Sequence, residues 1–264
     1  MKPLKLVHGL RFALLAGILL SACGKEELPA NCRVDYTTYV EGPASYQSLY
    51  TYNDRNQIVS VEKTGPIRTV TQYFYNKDNL LEKTETIYPI YPGLPQEYVK
   101  RGFTYNKNGL LEAESTSLTF SGNFNSSTRT YHYNHRGRLT KVEHSEFSQA
   151  SLIGKSEWVY IYPDSLSRNP SKMLLLFPND STKLTYLFSY EKEQLAGDQK
   201  SLLGYTDYLF NVENLVHEVK VRVGDDLPYV EASYQYSFDE SGRLYQVRYG
   251  PGLIKSQTLH YSCP

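Results

Sequence analysis

The 264-residue chain has one tryptophan, three cysteines and no net charge, its 28 basic residues matching 28 acidic ones. Charge balance excludes a strongly basic nucleic-acid binder. It also excludes a disordered acidic tail, which has few aromatics and a high net charge. Beyond the leader, no helical stripe runs longer than two turns, which leaves an all-β chain. Common catalytic signatures are missing as well: there is no nucleophile elbow, no P-loop and no H-E-x-x-H. No cofactor is implied, and the expectation is a protein that is not an enzyme. What the chain does have is tyrosine, 25 residues of it.

Residues 1–22 read as an export leader and stand outside fold reasoning. Lys2, Lys5 and Arg11 form a positive start, and Phe12 to Leu20 is too short an apolar run to cross a bilayer as an ordinary helix. Leu20-Ser21-Ala22-Cys23 resembles a bacterial lipobox, in which the cysteine is lipidated; a plain secretory signal is the alternative. Cys23-Gly24-Lys25-Glu26-Glu27 is similar to the export signal of surface lipoproteins in Bacteroidetes-type bacteria. The resemblance implies a lipid on Cys23, an outer-membrane location facing the cell exterior, and Lys25, Glu26 and Glu27 as the export signal. Acyl chains on one cysteine anchor a protein stably without a helix. Residues 23–31 then form a lipidated tether, and residues 32–264 form one domain. Removing Lys2, Lys5 and Arg11 leaves a small acidic excess.

Cys32 and Cys263 remain, near the two ends of the mature chain. Disulfides persist in exported proteins, so a Cys32–Cys263 bridge is predicted. In the chain-entropy model a loop of this length is worth about 5 kcal/mol. Such a bridge brings the first and last strands together.

Internal repeats organise the rest. An aromatic-x-aromatic unit followed by a turn residue recurs at Tyr50–Asn53, Tyr73–Asn76, Phe103–Asn106, Tyr131–Asn134, Tyr160–Pro163, Phe188–Glu191, Tyr208–Asn211 and Tyr236–Asp239. Several turns continue into Gly, as at Gly109, Gly137 and Gly242, while Asn56 and Asn79 hold that place in the first two units. This is the pattern of a type I turn closed by a G1 bulge, whose last residue is left-handed. Asn or Asp before the turn can accept from the backbone two residues on.

The turn length sets a register: Tyr52 opposite Ile58, Tyr75 opposite Leu81, Tyr105 opposite Leu111, Tyr133 opposite Leu139, Phe210 opposite Val216 and Phe238 opposite Leu244. Cross-strand aromatic–aliphatic pairs each stabilise a sheet by roughly 0.2–1 kcal/mol. One face of each hairpin is therefore an aromatic and aliphatic stripe. The other is expected to mix Thr51, His132 and Glu112 with Val59, Val61, Val142 and Val247. Two units break the rule. Ser165–Pro170 is not a short loop, although Met173–Phe177 reads as a buried strand, or less readily a short helix. Lys192-Glu193-Gln194 would form a loop pairing Tyr190 with Ala196. Eight hairpins predict an antiparallel β-meander of roughly 16 strands. A sheet that wide must curl, split or close, and the end-to-end bridge favours a closed or nearly closed barrel. A membrane-spanning barrel is the rival, and its outward bands would have to be apolar on every strand.

Tyr131-His132-Tyr133-Asn134-His135-Arg136-Gly137-Arg138-Leu139 resembles a YD repeat, the unit of the recombination-hot-spot and teneurin families, and Tyr234–Leu244 is similar. The chain looks closer to YD-repeat-like lipoproteins of Bacteroidetes. That implies a β-meander on a surface tether and no defined activity.

Candidate sites are few. His132, His135 and His144 do not converge in the predicted register, with His132 opposite Thr140, so no metal site is expected. Asp225-Asp226 and Asn179-Asp180 lack calcium-loop spacing and read as turns. Tyr88, Tyr91, Trp158 and Tyr229 lie outside the repeated stripe or near loops, and are the candidate ligand-facing aromatics. The expected role is a non-enzymatic binding or scaffold module. Its partners would be the membrane through the lipid, and a glycan or envelope protein. The alternative is a surface lipoprotein that binds or hydrolyses glycans.

Overall fold

A computed structural model describes residues 32–65, 68–88, 97–120, 123–178, 183–194, 214–241 and 243–263. The strands run in chain order: β1 (Arg33–Glu41), β2 (Ala44–Tyr52), β3 (Ile58–Thr64), β4 (Thr69–Tyr75), β5 (Leu81–Ile87), β6 (Tyr98–Tyr105), β7 (Leu111–Phe120) and β8 (Asn123–Tyr133). They continue as β9 (Leu139–Ser148), β10 (Ser151–Ile161), β11 (Lys172–Leu176), β12 (Lys183–Gln194), β13 (Asn214–Val223), β14 (Tyr229–Phe238), β15 (Leu244–Gly250) and β16 (Lys255–Ser262). Every strand pairs with its sequence neighbours, and β1 pairs with β16, closing a 16-stranded antiparallel barrel. The predicted Cys32–Cys263 disulfide is formed beside this closure. The Arg243 guanidinium lies 3.2 Å from Cys32 Sγ and 2.9 Å from Cys263 Sγ.

The asparagine turns form as expected. Asn53, Asn76, Asn106, Asn134 and Asp239 each accept, through Oδ1, the backbone N–H two residues on and the one four residues on. Asn56, Asn79, Gly109 and Gly137 are left-handed, with φ of 59°, 61°, 74° and 74°. The predicted pairs Tyr52–Ile58, Tyr75–Leu81, Tyr105–Leu111, Tyr133–Leu139 and Phe238–Leu244 are all present.

Each of these pairs is followed by a second bulge that the sequence reading missed. His132 faces Lys141, not Thr140, because Thr140 is the extra residue. An inserted residue converts a spacing of three into one face of the strand. Val61, Val142 and Val247 therefore lie opposite Tyr50, Tyr131 and Tyr236, on the aromatic face rather than behind it. This face holds the buried core, including Tyr131, Leu139, Val142, Tyr160, Met173, Phe188, Val216, Val219, Tyr234, Leu244 and Val247. In a closed sheet that face is the lumen.

The two irregular units are also resolved. β11 is the strand predicted near Met173, and Met173 is fully buried. β12 runs through Lys192-Glu193-Gln194, which is not a loop, and Tyr190 pairs with Val216 rather than Ala196. Val216 is partnered by Tyr190; the Tyr208–Asn211 unit, with Phe210, and Ala196 lie outside the described residues. The eighth repeat is instead made by the chain ends. Tyr261 faces Val34, a bulge follows at Asp35, and Thr37 takes the next lumenal position, as in the asparagine-turn units. The disulfide stands where that unit's turn would be.

Neighbouring hairpins separate toward the turn end. Strands β3 and β4 pair only over Ser60–Lys63, and β13 and β14 only over Glu218–Val221. Tyrosine hydroxyls close the gap by donating to a carbonyl at or near the turn end of the neighbouring strand. Tyr75 donates to Ile58 O at 2.8 Å, Tyr105 to Leu81 O at 2.8 Å, Tyr162 to Leu139 O at 2.8 Å and Tyr236 to Val216 O at 2.6 Å. Tyr52, Tyr190 and Tyr261 do the same to Val34, Pro170 and Leu244. The repeated tyrosine thus packs with its ring and serves, with its hydroxyl, a carbonyl that has left the ladder.

Ion pairs line much of the outer wall, beside outward apolar side chains such as Phe74 and Ile161. Lys83 and Lys100 both pair with Glu85, at 3.2 and 3.5 Å. Lys141 pairs with Glu143, Lys220 with Glu218 at 2.9 Å, and Arg68 with Glu62 at 2.7 Å.

Candidate functional site in the barrel lumen

The repeat supplies a standard against which unusual residues stand out. The lumenal position opposite the residue two before the turn-end aromatic holds Thr37, Val61, Thr84, Val142, Met173, Val219 or Val247 in seven units. In the β6–β7 unit it holds Glu114, which is 7% exposed. Four residues before the turn-end tyrosine, Ser48 and Thr71 are replaced by Arg101, Arg129 and Trp158 in the next three units. A buried carboxylate needs partners, and these two arginines provide them.

Glu114 Oε2 accepts from the Tyr131 hydroxyl at 2.9 Å and from Arg129 Nη1 at 3.5 Å. Arg101 Nη1 stands 4.0 Å from Glu114 Oε1, and the Arg101 side chain is 47% exposed. The Arg129 guanidinium lies over Trp158, 5.1 Å from its ring centroid. Burial, then the charge of Glu114, pushes the Tyr131 hydroxyl above its ordinary range, so it stays a donor.

Register extends this cluster into two rows. Phe103, Glu114, Arg129, His144 and Ser156 are successive cross-strand neighbours. So are Thr84, Arg101, Thr116, Ser127 and Glu146. Directly opposed residues have Cβ atoms about 4.5–5.5 Å apart, so the rows form one polar band on β6–β10. His144 Nε2 is 3.8 Å from Glu146, whose side chain is 55% exposed. Farther around the wall, Tyr46, Tyr39, Tyr249 and Tyr234 form a file with ring centroids 4.4, 6.2 and 6.0 Å apart. Burial pushes the Tyr46 hydroxyl up to about 12.

The predicted aromatics are not gathered at one point. Trp158 is in the lumenal wall, opposite Val142. Tyr229 begins β14 opposite Val221 and is 55% exposed. Tyr88 follows β5, half-buried, its N–H donating to Glu97 O at 3.1 Å. Tyr91 lies outside the described residues, as do Cys23, Lys25, Glu26 and Glu27. His132 pairs with Glu143 on the outer wall while His144 faces the lumen. No metal-binding group of His, Cys, Asp and Glu occurs among the described residues. Glu114, Arg101 and Arg129 were missed because they sit inside the stripe. Aligning the units at the bulge is the signal that exposes them.

Two surface cavities lie on seams between hairpins. One of about 460 Å³ is lined by Glu191, Leu215, His217, Gln235 and Phe238. The other, about 330 Å³, is lined by Asn106, Glu112, His132, Asn134 and His135.

No family model matches the chain, and no curated protein matches it. A porin-like protein from Bacteroides vulgatus is similar at 14% identity and a TM-score of 0.40, over 89% of this chain and all of its own. A porin-like protein from Bacteroides uniformis is similar at 13% identity and a TM-score of 0.48, over 87% of this chain and 98% of its own. A structure described as TcdB2-TccC3-TEV matches at 12% identity and a TM-score of 0.19, and the match spans only 11% of that chain. At these values the likenesses assign no activity.

Proposed function

We propose that this chain is a lipid-anchored outer-membrane protein displayed on the cell surface, a barrel of YD-like repeats acting as a non-enzymatic binding or scaffold module. The observation that carries the reading is the charged outer wall. A lysine facing lipid at mid-bilayer costs about 2–4 kcal/mol, and Lys83, Lys100, Lys141 and Lys220 all lie on outward positions with carboxylate partners. A barrel with this exterior belongs in water, so its membrane attachment has to come from elsewhere. Cys23 supplies it, and Cys32 fixes the tether at the end where the asparagine turns lie. The opposite rim then points away from the membrane. Lumenal chemistry favours binding over turnover, since Glu114, the most buried carboxylate among the described residues, is already engaged by Tyr131 and Arg129.

Metabolic labelling with a fatty acid and protease shaving of intact cells test this together. Labelled protein that Cys23→Ala abolishes, and that external protease removes, is the expected result. Labelling without removal would leave a periplasm-facing lipoprotein; no labelling would end the anchored reading.

A further inference from the structure

We infer that the polar band on β6–β10 is a binding site for a neutral saccharide, with Trp158 as its stacking surface and Arg101 as its principal donor; this rests on the barrel being a binding module. The chemistry of the band narrows the ligand. Arg101 and Arg129 are balanced by Glu114 and Glu146, so the wall presents no excess charge to hold a simple ion. Its groups are instead mixed donors and acceptors. Guanidinium and carboxylate planes each take paired hydroxyls, while Thr116, Ser127 and Ser156 both donate and accept. An apolar ligand would leave these groups unpaired as it displaced their water. A polyhydroxylated ring satisfies them along its edge and offers its C–H face to an indole.

Water already reaches this wall. Arg101 and Glu146 are lumenal by register, and their side chains are 47% and 55% exposed. The contact of Arg101 with Glu114 is loose at 4.0 Å, so its N–H groups are available to a ligand without breaking the tighter Glu114–Tyr131 bond. Arg129 is held between Glu114 and the Trp158 ring, which fixes the indole that a sugar would meet. Glu114 is accordingly a positioning residue, and Arg101 the one that touches ligand.

Trp158 is the sole tryptophan of the chain, so its fluorescence reports on this wall alone. The full mature chain, in a detergent without a sugar headgroup, would be titrated with neutral hexasaccharides of glucose, mannose, xylose and galactose. A hexagalacturonate and sodium sulfate serve as charged probes. The expected result is a saturable shift of Trp158 emission, with protection from acrylamide, by a neutral hexasaccharide. Arg101→Ala should weaken it about tenfold or more, as lost charged hydrogen bonds imply. The outer-wall variant Lys83→Ala should leave it unchanged. If Arg101→Ala does not fold, Glu146→Gln takes its place. No shift with any neutral saccharide, a shift only with the charged probes, or undiminished binding by a folded lumenal variant would each overturn the inference. Cell shaving reads display separately, so a displayed protein that binds no sugar defeats this inference and leaves the anchored module standing.

Discussion

Replacing the seam tyrosines by phenylalanine isolates the work of their hydroxyls. In Tyr75→Phe the ring stays and only the 2.8 Å bond to Ile58 O is lost. A typical net hydrogen bond is worth about 1 kcal/mol. For a domain of this size that corresponds to a fall in Tm of about 2–4 °C. Tyr75, Tyr162 and Tyr236 serve three separate seams, β3–β4, β9–β10 and β13–β14. Changes without shared partners add, so the triple variant should lose about 3 kcal/mol and about 6–12 °C. The Arg138 guanidinium, 4.8 Å from the Tyr162 ring centroid, keeps its aromatic partner in the variant, so the loss is not one of stacking. Calorimetry on the oxidised protein gives Tm, and urea titration gives the midpoint and slope. A triple variant melting within a degree of the parent, with an unchanged urea midpoint, would mean that water serves these carbonyls equally well. The structural role given to the repeated tyrosine would then be wrong.

Reduction of the Cys32–Cys263 bridge should destabilise the barrel by up to about 5 kcal/mol, seen as a Tm drop of up to about 10–20 °C in dithiothreitol; non-reducing peptide mapping should recover the two cysteines in one linked peptide. Gly109→Ala should cost about 1 kcal/mol by urea melting, because φ is +74° while the space for a Cβ is open, so the penalty comes from the backbone alone. Burial pushes the Glu231 carboxyl above its ordinary range. A raised carboxyl favours folding while protonated, and that contribution is lost as pH rises through its folded value. Glu231→Gln should therefore match the parent in acid and melt higher at neutral pH; parallel Tm–pH curves for the two would refute this.

Much of the barrel was legible because turn chemistry is local. An asparagine, a left-handed residue and two aromatics define a hairpin with no long-range information, and the pairs from Tyr52–Ile58 to Phe238–Leu244 follow. The bulge after each pair was not legible in any single unit, since Thr140 and Val59 carry no residue-type mark of an unpaired position. That one-residue error moved Val61, Val142 and Val247 to the wrong face and hid Glu114 among them. Val216 is opposite Tyr190, so its partner comes from the preceding aromatic unit in sequence, while Phe210 lies outside the described residues. Trp158 was singled out for lying off the stripe, and its neighbours in space, Arg129 and His144, come from two other strands.

The completion of a repeat by Tyr261 and Val34 has a consequence for how the chain is threaded. A ring whose eighth unit is spliced from its two ends has no privileged starting point. Joining residue 32 to residue 263 through a short asparagine-glycine turn, and cutting the chain between Gln149 and Ala150, would give a circular permutant in which every unit is continuous. Both of those residues are left-handed in a tight surface turn, where new termini disturb little. In such a permutant the proposed tether would leave from the opposite rim, turning the barrel end for end on the anchor proposed at Cys23.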